Sequence, residues 1–248
     1  MLDFMLLLNL RKLSASSSTN KELRKLLKSN NIESGDGVWT LNQTDGVGQH
    51  GSVWQGETNS HLAFSVYKCF ENLNPKWIYS INSASALAVI KTLDYFNVPD
   101  LSIKWPNDIL SGNKKICGIL AENQIKGNQI KSIIGVGINL YEKSFIKLPN
   151  ATSVFIETQK KPSIADFIDN LSKSLIFYMS FCFNLSIEEL SEMFHNKLFF
   201  WKKKIEFEID GRLNEALISK VHLNGLIELE FKNGKVRNFQ PKEIKMIY

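Results

Sequence analysis

Residues 114–140 read KKICGILAENQIKGNQIKSIIGVGINL, and this segment decides the fold. Two mostly apolar stretches, 116–124 and 130–140, flank a Lys-Gly-Asn sequence, an arrangement that is typical of a β-hairpin. Because both arms are mostly apolar, we expect the hairpin to lie centrally in a sheet.

The segments around the hairpin alternate between strand-like and helical patterns. Thr19 and Glu22 form a predicted capping box, which places Ser18, Thr19 and Asn20 at a helix N-terminus with backbone N–H groups free to bind an acceptor. The other predicted strands are MLDFMLLLNL (1–10), GVWTLNQ (37–43), HLAFSVY (61–67) and LSIKW (101–105), and the other predicted helices are SASALAVIKTLDYF (83–96), IADFIDNLSKSLIFYMSFCF (164–183) and SIEELSEMFHNKLFF (186–200).

After Trp201 the pattern changes to short alternating strands that are separated by tight-turn dipeptides. Such a run fits a small antiparallel barrel. We therefore predict an α+β domain at 1–197, with a mixed sheet and flanking helices, and a small C-terminal β-barrel at 198–248. The strands predicted in the barrel are IEFEID (205–210), EALISKV (215–221), LIELEF (226–231) and VRNF (236–239).

The chain has 248 residues and a formal net charge of +5, and its basic residues occur in short, scattered runs. Such runs are typical of solvated faces, and no helix-turn-helix pattern precedes the main body, so we expect no nucleic-acid partner. Three cysteines, Cys69, Cys117 and Cys182, are far apart and lack metal-ligand spacing. We interpret them as free, buried thiols of a cytoplasmic protein.

The first ten residues are apolar enough to suggest a signal peptide, and Ser14-Ala15-Ser16 resembles a cleavage site. However, Asp3 lies ahead of the apolar run, no basic residue precedes it, and the run is too short to cross a membrane. We interpret it as a first strand and keep the signal peptide as the alternative. No later segment reaches membrane-spanning length, so we expect no membrane association.

A glycine segment, QTDGVGQHGSVW (43–54), places Gly46, Gly48 and Gly51 within six positions. Bare backbone can approach a phosphate or an acyl group and donate N–H hydrogen bonds to it. The segment matches neither the P-loop nor the Rossmann fingerprint, because a strand rather than a helix follows. An ordinary glycine-rich hairpin is the alternative.

The segment KWPNDIL (104–110) places an amide and a carboxylate after a proline at a strand end. Because Pro106 restricts the turn, Asn107 and Asp108 project in a set direction, and Asp108 is a candidate to hold a metal ion or a ligand hydroxyl. A plain Pro-Asn-Asp turn is the alternative. Lys115 follows on an apolar strand, where it is either an edge lysine or a cation for charge that develops on a carboxylate or phosphate.

Together these motifs resemble those of the biotin protein ligase family. They occur in the family's order and at its usual spacing, over nearly the whole chain. KWPND followed by KxxGIL is highly specific, whereas the glycine segment and GVGIN are weaker alone. The matching segments are SSTN (17–20), QTDGVGQHGSVW (43–54), KWPNDIL (104–110), KKICGIL with Glu122 (114–122), GVGINL (135–140) and ATSV (151–154).

The resemblance implies the catalytic fold of biotin and lipoate ligases, which is similar to that of class II aminoacyl-tRNA synthetases. It implies that biotin reacts with ATP and Mg²⁺ to give biotinyl-5′-AMP, and that a lysine of a biotin carboxyl carrier protein then takes the biotin. The expected partners are this carrier, biotin and ATP, and the expected state is a monomer or a homodimer. The chain resembles the short, ligase-only form without an N-terminal DNA-binding domain.

The resemblance also assigns roles to individual residues. Lys115 and Asp108 are the expected catalytic residues, and Asp108 is also a candidate to place Mg²⁺ through the nucleotide. The expected biotin-binding residues are Ser18, Thr19, Asn20, Gln43, Gly46, Gly48, Gln49, His50, Lys115 and Gly118. The expected ATP- or adenylate-binding residues are Gly46, Gly48, Gln49, Trp54, Asn107, Lys115 and Asn139.

Some of these assignments keep structural alternatives. Trp54 is also a candidate core residue, Asn139 a candidate strand end, and Ser18-Thr19-Asn20 a helix cap with or without a binding role. Gly135 and Gly137 are expected to allow close packing beside the ligand rather than to touch it.

The glycine segment departs from the family at Val47, where the family usually has arginine. We therefore expect weaker binding of ATP or the adenylate than in an arginine-bearing relative, with His50 as a partial substitute when protonated. Two alternative functions stay open. A lipoate protein ligase shares the fold but not KWPND, and a non-catalytic biotin-binding protein is favoured by Val47 but opposed by Lys115, Asp108 and Gln43.

Overall fold

The predicted hairpin is present and lies in the middle of a seven-stranded sheet. The computed structural model describes residues 9–54, 56–146, 148–182 and 187–248, and of His50 it describes only the backbone. The first strands in chain order are β1 (Asn9–Lys12), β2 (Asp36–Thr40), β3 (Gly46–Val47), β4 (Val53–Trp54), β5 (His61–Glu71), β6 (Leu101–Lys104), β7 (Asp108–Ser111), β8 (Lys114–Lys126) and β9 (Gln129–Asn139). The sheet order is β1-β2-β5-β9-β8-β7-β6, and the sheet is mixed because β1 and β2 are parallel while the other neighbours are antiparallel.

Helices cover both faces of this sheet. The helices are α1 (Thr19–Lys28), α2 (Tyr79–Tyr95), α3 (Val154–Thr158), α4 (Ile164–Ser180) and α5 (Ile187–Asn196). Leu23 of α1 packs with Tyr67, whereas the adjacent Val66 belongs to the larger core that includes α2, α4 and α5. Since successive strand residues point to opposite faces, α1 covers one face of the sheet, and α2, α4 and α5 cover the opposite face.

Several predicted elements differ in their ends. The predicted capping box of Thr19 and Glu22 is wrong, and Ser18 is the N-cap. The Thr19 hydroxyl is hydrogen-bonded to Ser65, and Glu22 pairs with Lys25, so neither side chain caps the helix. The last predicted helix ends at Asn196, because Ile103 forms backbone hydrogen bonds with the carbonyl of residue 197 and the N–H of residue 199. Of the predicted first strand, residues 1–8 lie outside the described residues, and the sequence missed α3 and β7.

The four predicted C-terminal strands are present, and with a fifth strand that the sequence missed they form an antiparallel sheet with the order β13-β12-β11-β10-β14. Its strands are β10 (Lys204–Ile209), β11 (Arg212–Val221), β12 (Ile227–Phe231), β13 (Val236–Phe239) and β14 (Ile244–Ile247). Trp105 Nε1 donates to the Gly225 carbonyl at 3.0 Å, and Tyr79 N–H donates to the Leu223 carbonyl at 2.9 Å. These bonds fix the small sheet against the strand end that carries the KWPND motif. The domain boundary near residue 198 stays a prediction.

The cysteines are free, with Cys117 and Cys182 buried and Cys69 only half-buried. Burial raises the pKa of the Cys117 thiol, so this group stays protonated and unreactive. In the described ranges, no helix has both the length and the apolar composition that crossing a bilayer requires.

Candidate functional site

Most of the sequence motifs described above meet at one cavity of about 340 Å³ on the sheet. Its walls come from the N-terminus of α1, the glycine segment, the turn before β7, the hairpin of β8 and β9, and the turn before β14. The lining residues are Ser18, Thr19, Asn20, Gln43, Val47, Gly48, Gln49, Ser52, Val53, Trp54, Ala63, Pro106, Asn107, Asp108, Lys115, Gly118, Ile119, Leu120, Gly135, Val136, Gly137, Pro241 and Lys242.

One end of the cavity is polar and uncharged at its surface, and a chain of hydrogen bonds orders it. Ser65 Oγ lies 2.6 Å from Asn20 Oδ1 and 2.7 Å from Thr19 Oγ1. An amide oxygen only accepts, so the Ser65 hydroxyl donates to Asn20 and the Thr19 hydroxyl donates to Ser65. The Thr19 backbone N–H donates to Gln43 Oε1 at 2.9 Å. The donating NH₂ group of Gln43 has no protein acceptor among the described residues and is therefore available to a ligand.

Asn20 is held in place by a second layer of contacts. Its Nδ2 donates to Glu122 Oε2 at 3.0 Å, and Glu122 in turn pairs with Arg24 of α1. Gly135 of β9 passes so close to the Asn20 amide that a Cβ there would overlap Oδ1. The amide orientation is thus fixed by both sheet and helix, which pre-organises this end of the cavity for a neutral polar ligand group.

The opposite end of the cavity carries an ion pair. Lys115 Nζ lies 2.6 Å from Asp108 Oδ1, and the two side chains are 37% and 20% exposed. Strand pairing sets their positions: β7 and β8 are neighbours with an irregularity at Ile109 and Leu110, and the Lys115 backbone is also bonded to residues 150 and 152. The ammonium group lies 5.5 Å from the centre of the Trp54 ring, so a cation and an aromatic face border the same space.

Trp54 lies on the cavity floor, where the hairpin has no side chains. Gly118 and Gly137 face each other across β8 and β9, and a Cβ on Gly137 would come within 2.6 Å of Trp54 Cε2. Trp54 Nε1 is buried and has no hydrogen-bond partner among the described residues. The ring is therefore both packed on the sheet and part of the lining, and its stacking on adenine stays a prediction.

The glycine segment folds as the short β3–β4 ladder with a turn at Gln49–Gly51. Gly46 is buried against the Trp54 carbonyl, Gly48 N–H donates to the Ser52 carbonyl at 2.7 Å, and Gly51 has φ +82°. The segment is a hairpin and also a wall of the cavity. Val47 is 42% exposed and lines the cavity.

Three predicted site residues have other environments. The Asn107 amide lines the cavity but donates to the Ile119 carbonyl at 2.7 Å, which clamps the turn to β8. Asn139 is buried outside the lining and donates to the Thr152 carbonyl at 2.9 Å, as its strand-end alternative predicts. Gly46 also lies outside the lining, and the His50 side chain is outside the part of the chain that the structure describes.

Among the lining residues that the sequence did not predict are Pro241 and Lys242, from the turn before β14. No motif pointed to them, because a turn in a run of short strands has no feature that relates it to a distant cavity. Among the residues that the structure describes, no three His, Cys, Asp or Glu side chains group together as a metal site would require. Asp108 carries the one carboxylate of the described lining. A single carboxylate is compatible with Mg²⁺, because an ion that is bound through substrate phosphates needs only one or two protein carboxylates.

Comparisons with known proteins agree on this family. The sequence profile of the Biotin/lipoate A/B protein ligase family matches residues 13–139, which is more than half of the chain. A bifunctional ligase/repressor BirA of Bacillus spizizenii is 33% identical over 129 residues, covering 52% of this chain and 39% of that protein. A biotin–[acetyl-CoA-carboxylase] ligase of Mycobacterium tuberculosis is 32% identical over 124 residues, covering 48% of this chain and 45% of that protein. The match thus spans less than half the length of these relatives.

The fold has a close counterpart among solved structures. The biotin protein ligase from Aquifex aeolicus in complex with biotin and ATP superimposes with a TM-score of 0.73, over 96% of this chain and 98% of that chain, at 22% identity. At this identity the likeness concerns the fold, and it includes the C-terminal sheet as well as the large one.

Proposed function

This chain belongs to the biotin/lipoate A/B protein ligase family, and we propose that it activates biotin with ATP and transfers it to a lysine of a biotin carboxyl carrier protein. The observation that supports this most strongly is the polarity of the cavity. A neutral hydrogen-bonding end formed by Thr19, Asn20 and Gln43 lies at one side, and the Lys115–Asp108 ion pair lies at the other.

Biotin has the same two-ended character. Its ureido ring is neutral and needs matched donors and acceptors, which the ordered Asn20 and Gln43 amides would provide in this proposal. Its carboxylate would then reach the end where Lys115 lies. There Lys115 would reduce the repulsion between the biotin carboxylate and the α-phosphate of ATP.

In the first step a carboxylate oxygen of biotin forms a bond to the α-phosphorus, and the bond from that phosphorus to the bridging oxygen of pyrophosphate breaks. Mg²⁺ enters as part of the MgATP substrate and neutralises charge on the phosphates. Trp54, with one face on the sheet, would stack on the adenine, and the glycine segment would cover the adenylate and keep water out.

In the second step an uncharged lysine amine of the carrier attacks the carbonyl carbon of the mixed anhydride, and AMP leaves with its phosphate oxygen. The proton that the amine loses as the amide forms passes to the departing phosphate or to water. We assign to Asp108 the role of orienting this amine, because its carboxylate lies beside Lys115 at the cavity wall. We place this reaction in the cytoplasm, where the carboxylases that carry biotin would be available.

The test is biotin-dependent pyrophosphate release from ATP by the purified chain, with mass spectrometry of the product. We expect biotinyl-5′-AMP, followed by labelling of an added carrier domain. Lys115→Gln should slow both about 100-fold, whereas Lys114→Gln, at the exposed preceding position, should not. Product formation with lipoate instead of biotin would identify a lipoate ligase, and biotin binding without pyrophosphate release would identify a non-catalytic protein; either result would overturn the proposal.

A further inference from the structure

We propose that Lys242, on the C-terminal sheet, binds the polyphosphate of ATP in the cavity. The inference rests on the proposed function and adds to it a residue from outside the large sheet. It would make nucleotide binding depend on how the two sheets are docked.

The first observation is position. Lys242 and Pro241 line the cavity from the turn before β14. The hydrogen bonds from Trp105 and Tyr79 to the 223–225 turn hold the two sheets together. Lys242 therefore reaches the cavity from a sheet that is docked against the rest of the chain.

The second observation is charge. Among the described lining residues, the ionisable side chains are Asp108, Lys115 and Lys242. Asp108 and Lys115 neutralise each other at 2.6 Å, and no carboxylate of the described residues forms an ion pair with Lys242. The nearby Glu243 carboxylate accepts the Gln240 N–H at 2.6 Å instead. A triphosphate brings several negative charges. Lys115 is paired with Asp108 and assigned to the reacting α-phosphate, so Lys242 is the unpaired lysine of the described lining that can meet the outer phosphates.

The third observation is the backbone. Lys242 has φ +79°, in the left-handed region that favours glycine and asparagine. A residue with a side chain pays a conformational cost there, so folding alone favours glycine at this position. Lys242 carries that cost at the edge of a ligand cavity, which supports a binding role beside the evidence of position and charge.

The test uses the variants Lys242→Gly and Lys242→Ala in the full chain, with Lys235→Ala as the matched control. Lys235 is an exposed lysine of the same sheet, outside the lining of this cavity. Calorimetry would measure the binding of ATP, of inorganic tripolyphosphate and of biotin. We expect both Lys242 variants to bind ATP and tripolyphosphate about tenfold more weakly, with unchanged biotin affinity and a difference that shrinks as salt is added. Lys242→Gly should melt no lower than the wild type.

The outcomes separate the two proposals. If Lys242→Gly binds ATP as tightly as the wild type does, the proposed role of Lys242 is overturned and the proposed ligase function is unaffected. An equal loss in Lys235→Ala would also overturn it, because the effect would then reflect overall charge. A wild-type chain that binds no ATP would overturn both.

Discussion

The Trp54 indole lies directly on Gly137, where a Cβ would come within 2.6 Å of Cε2 and 2.9 Å of Nε1. Gly118 is paired opposite Gly137, and a Cβ there would meet Trp54 Cζ3 at 3.1 Å. The two glycines form a flat floor for the ring. Gly137 of GVGIN and Gly118 of KICGIL are therefore needed for the packing of Trp54.

Replacing Gly137 with alanine should displace Trp54 from the sheet. If Trp54 stacks on adenine, the dissociation constant for ATP should rise about tenfold, because base–aromatic stacking contributes about 1–3 kcal/mol. Calorimetric titration with ATP would measure this. Gly118→Ala is the matched control and should have the smaller effect, since its contacts are with the ring edge and the flexible end of Lys115. Unchanged ATP binding by Gly137→Ala would contradict the assignment of Trp54.

Gly135 lies two residues earlier on the same face of β9 and contacts a different partner. An alanine there would push against the Asn20 amide, whose orientation is set by Ser65 and Glu122. We expect Gly135→Ala to weaken biotin binding by about tenfold or more, with little effect on ATP, because a buried amide would lose its fixed geometry. Calorimetric titration of this variant with biotin and with ATP would test the prediction. A larger loss of affinity for ATP than for biotin would refute it.

Lys115→Gln should slow adenylate formation by about 100-fold, because removing one preorganised charge partner of a reacting group typically has this effect. The free energy of unfolding should change by less than about 1 kcal/mol, since the ion pair with Asp108 is partly exposed. Rapid-quench measurement of biotinyl-5′-AMP, together with urea denaturation, would separate the two effects. A variant that loses stability but keeps its rate would show that the ion pair serves the fold instead.

Much of the large sheet is predictable from the sequence, because its pattern is local. The arms of the hairpin are long apolar runs around a Lys-Gly-Asn turn, and they form β8 and β9 close to the predicted positions. The Asp-Gly and Asn-Gly dipeptides of the C-terminal sheet also mark turns, as the positive φ of Gly211, Gly225 and Gly234 confirms. In these places the residue types themselves restrict the backbone.

The remaining features depend on tertiary contacts that no local pattern encodes. Thr19 does not cap α1 because Ser65, far along the chain, takes its hydroxyl. The helix α5 stops at Asn196 because the following residues pair with Ile103. Lys242 reaches the cavity only because the C-terminal sheet docks beside Trp105.

Val47→Arg should slow release of the adenylate. The position lines the cavity and is 42% exposed, so a guanidinium group can extend from it toward a phosphate without a burial cost. We expect a dissociation rate about tenfold lower, measured by stopped-flow chase of preformed adenylate. Val236→Arg adds the same charge at an exposed site of the C-terminal sheet and should leave the rate unchanged. An unaltered rate in Val47→Arg would rule out a phosphate contact from this position.

The backbone at Glu57 is held by two buried ionisable groups, His61 and Glu142, and these should have opposite effects on how stability depends on pH. His61 Nδ1 lies 3.1 Å from the Glu57 carbonyl, and the Glu57 N–H donates to Glu142 Oε1 at 3.3 Å. His61 Nε2 and Glu142 Oε2 are buried without partners among the described residues. Burial lowers the pKa of His61 from 6.5 and raises the pKa of Glu142 from 4.5.

The two groups act in opposite directions. Because the folded chain resists protonation of His61, the stability from this group is present above pH 6.5 and is lost as pH falls toward its lowered pKa. Because the folded chain resists ionisation of Glu142, the stability from that group is present below pH 4.5 and is lost as pH rises toward its raised pKa. His61→Gln should therefore reduce the loss of stability on acidification, and Glu142→Gln should increase stability at neutral pH relative to the wild type. Urea denaturation of the three proteins between about pH 5 and pH 8 would test both signs, and parallel pH profiles for all three would show that neither group titrates differently in the folded chain.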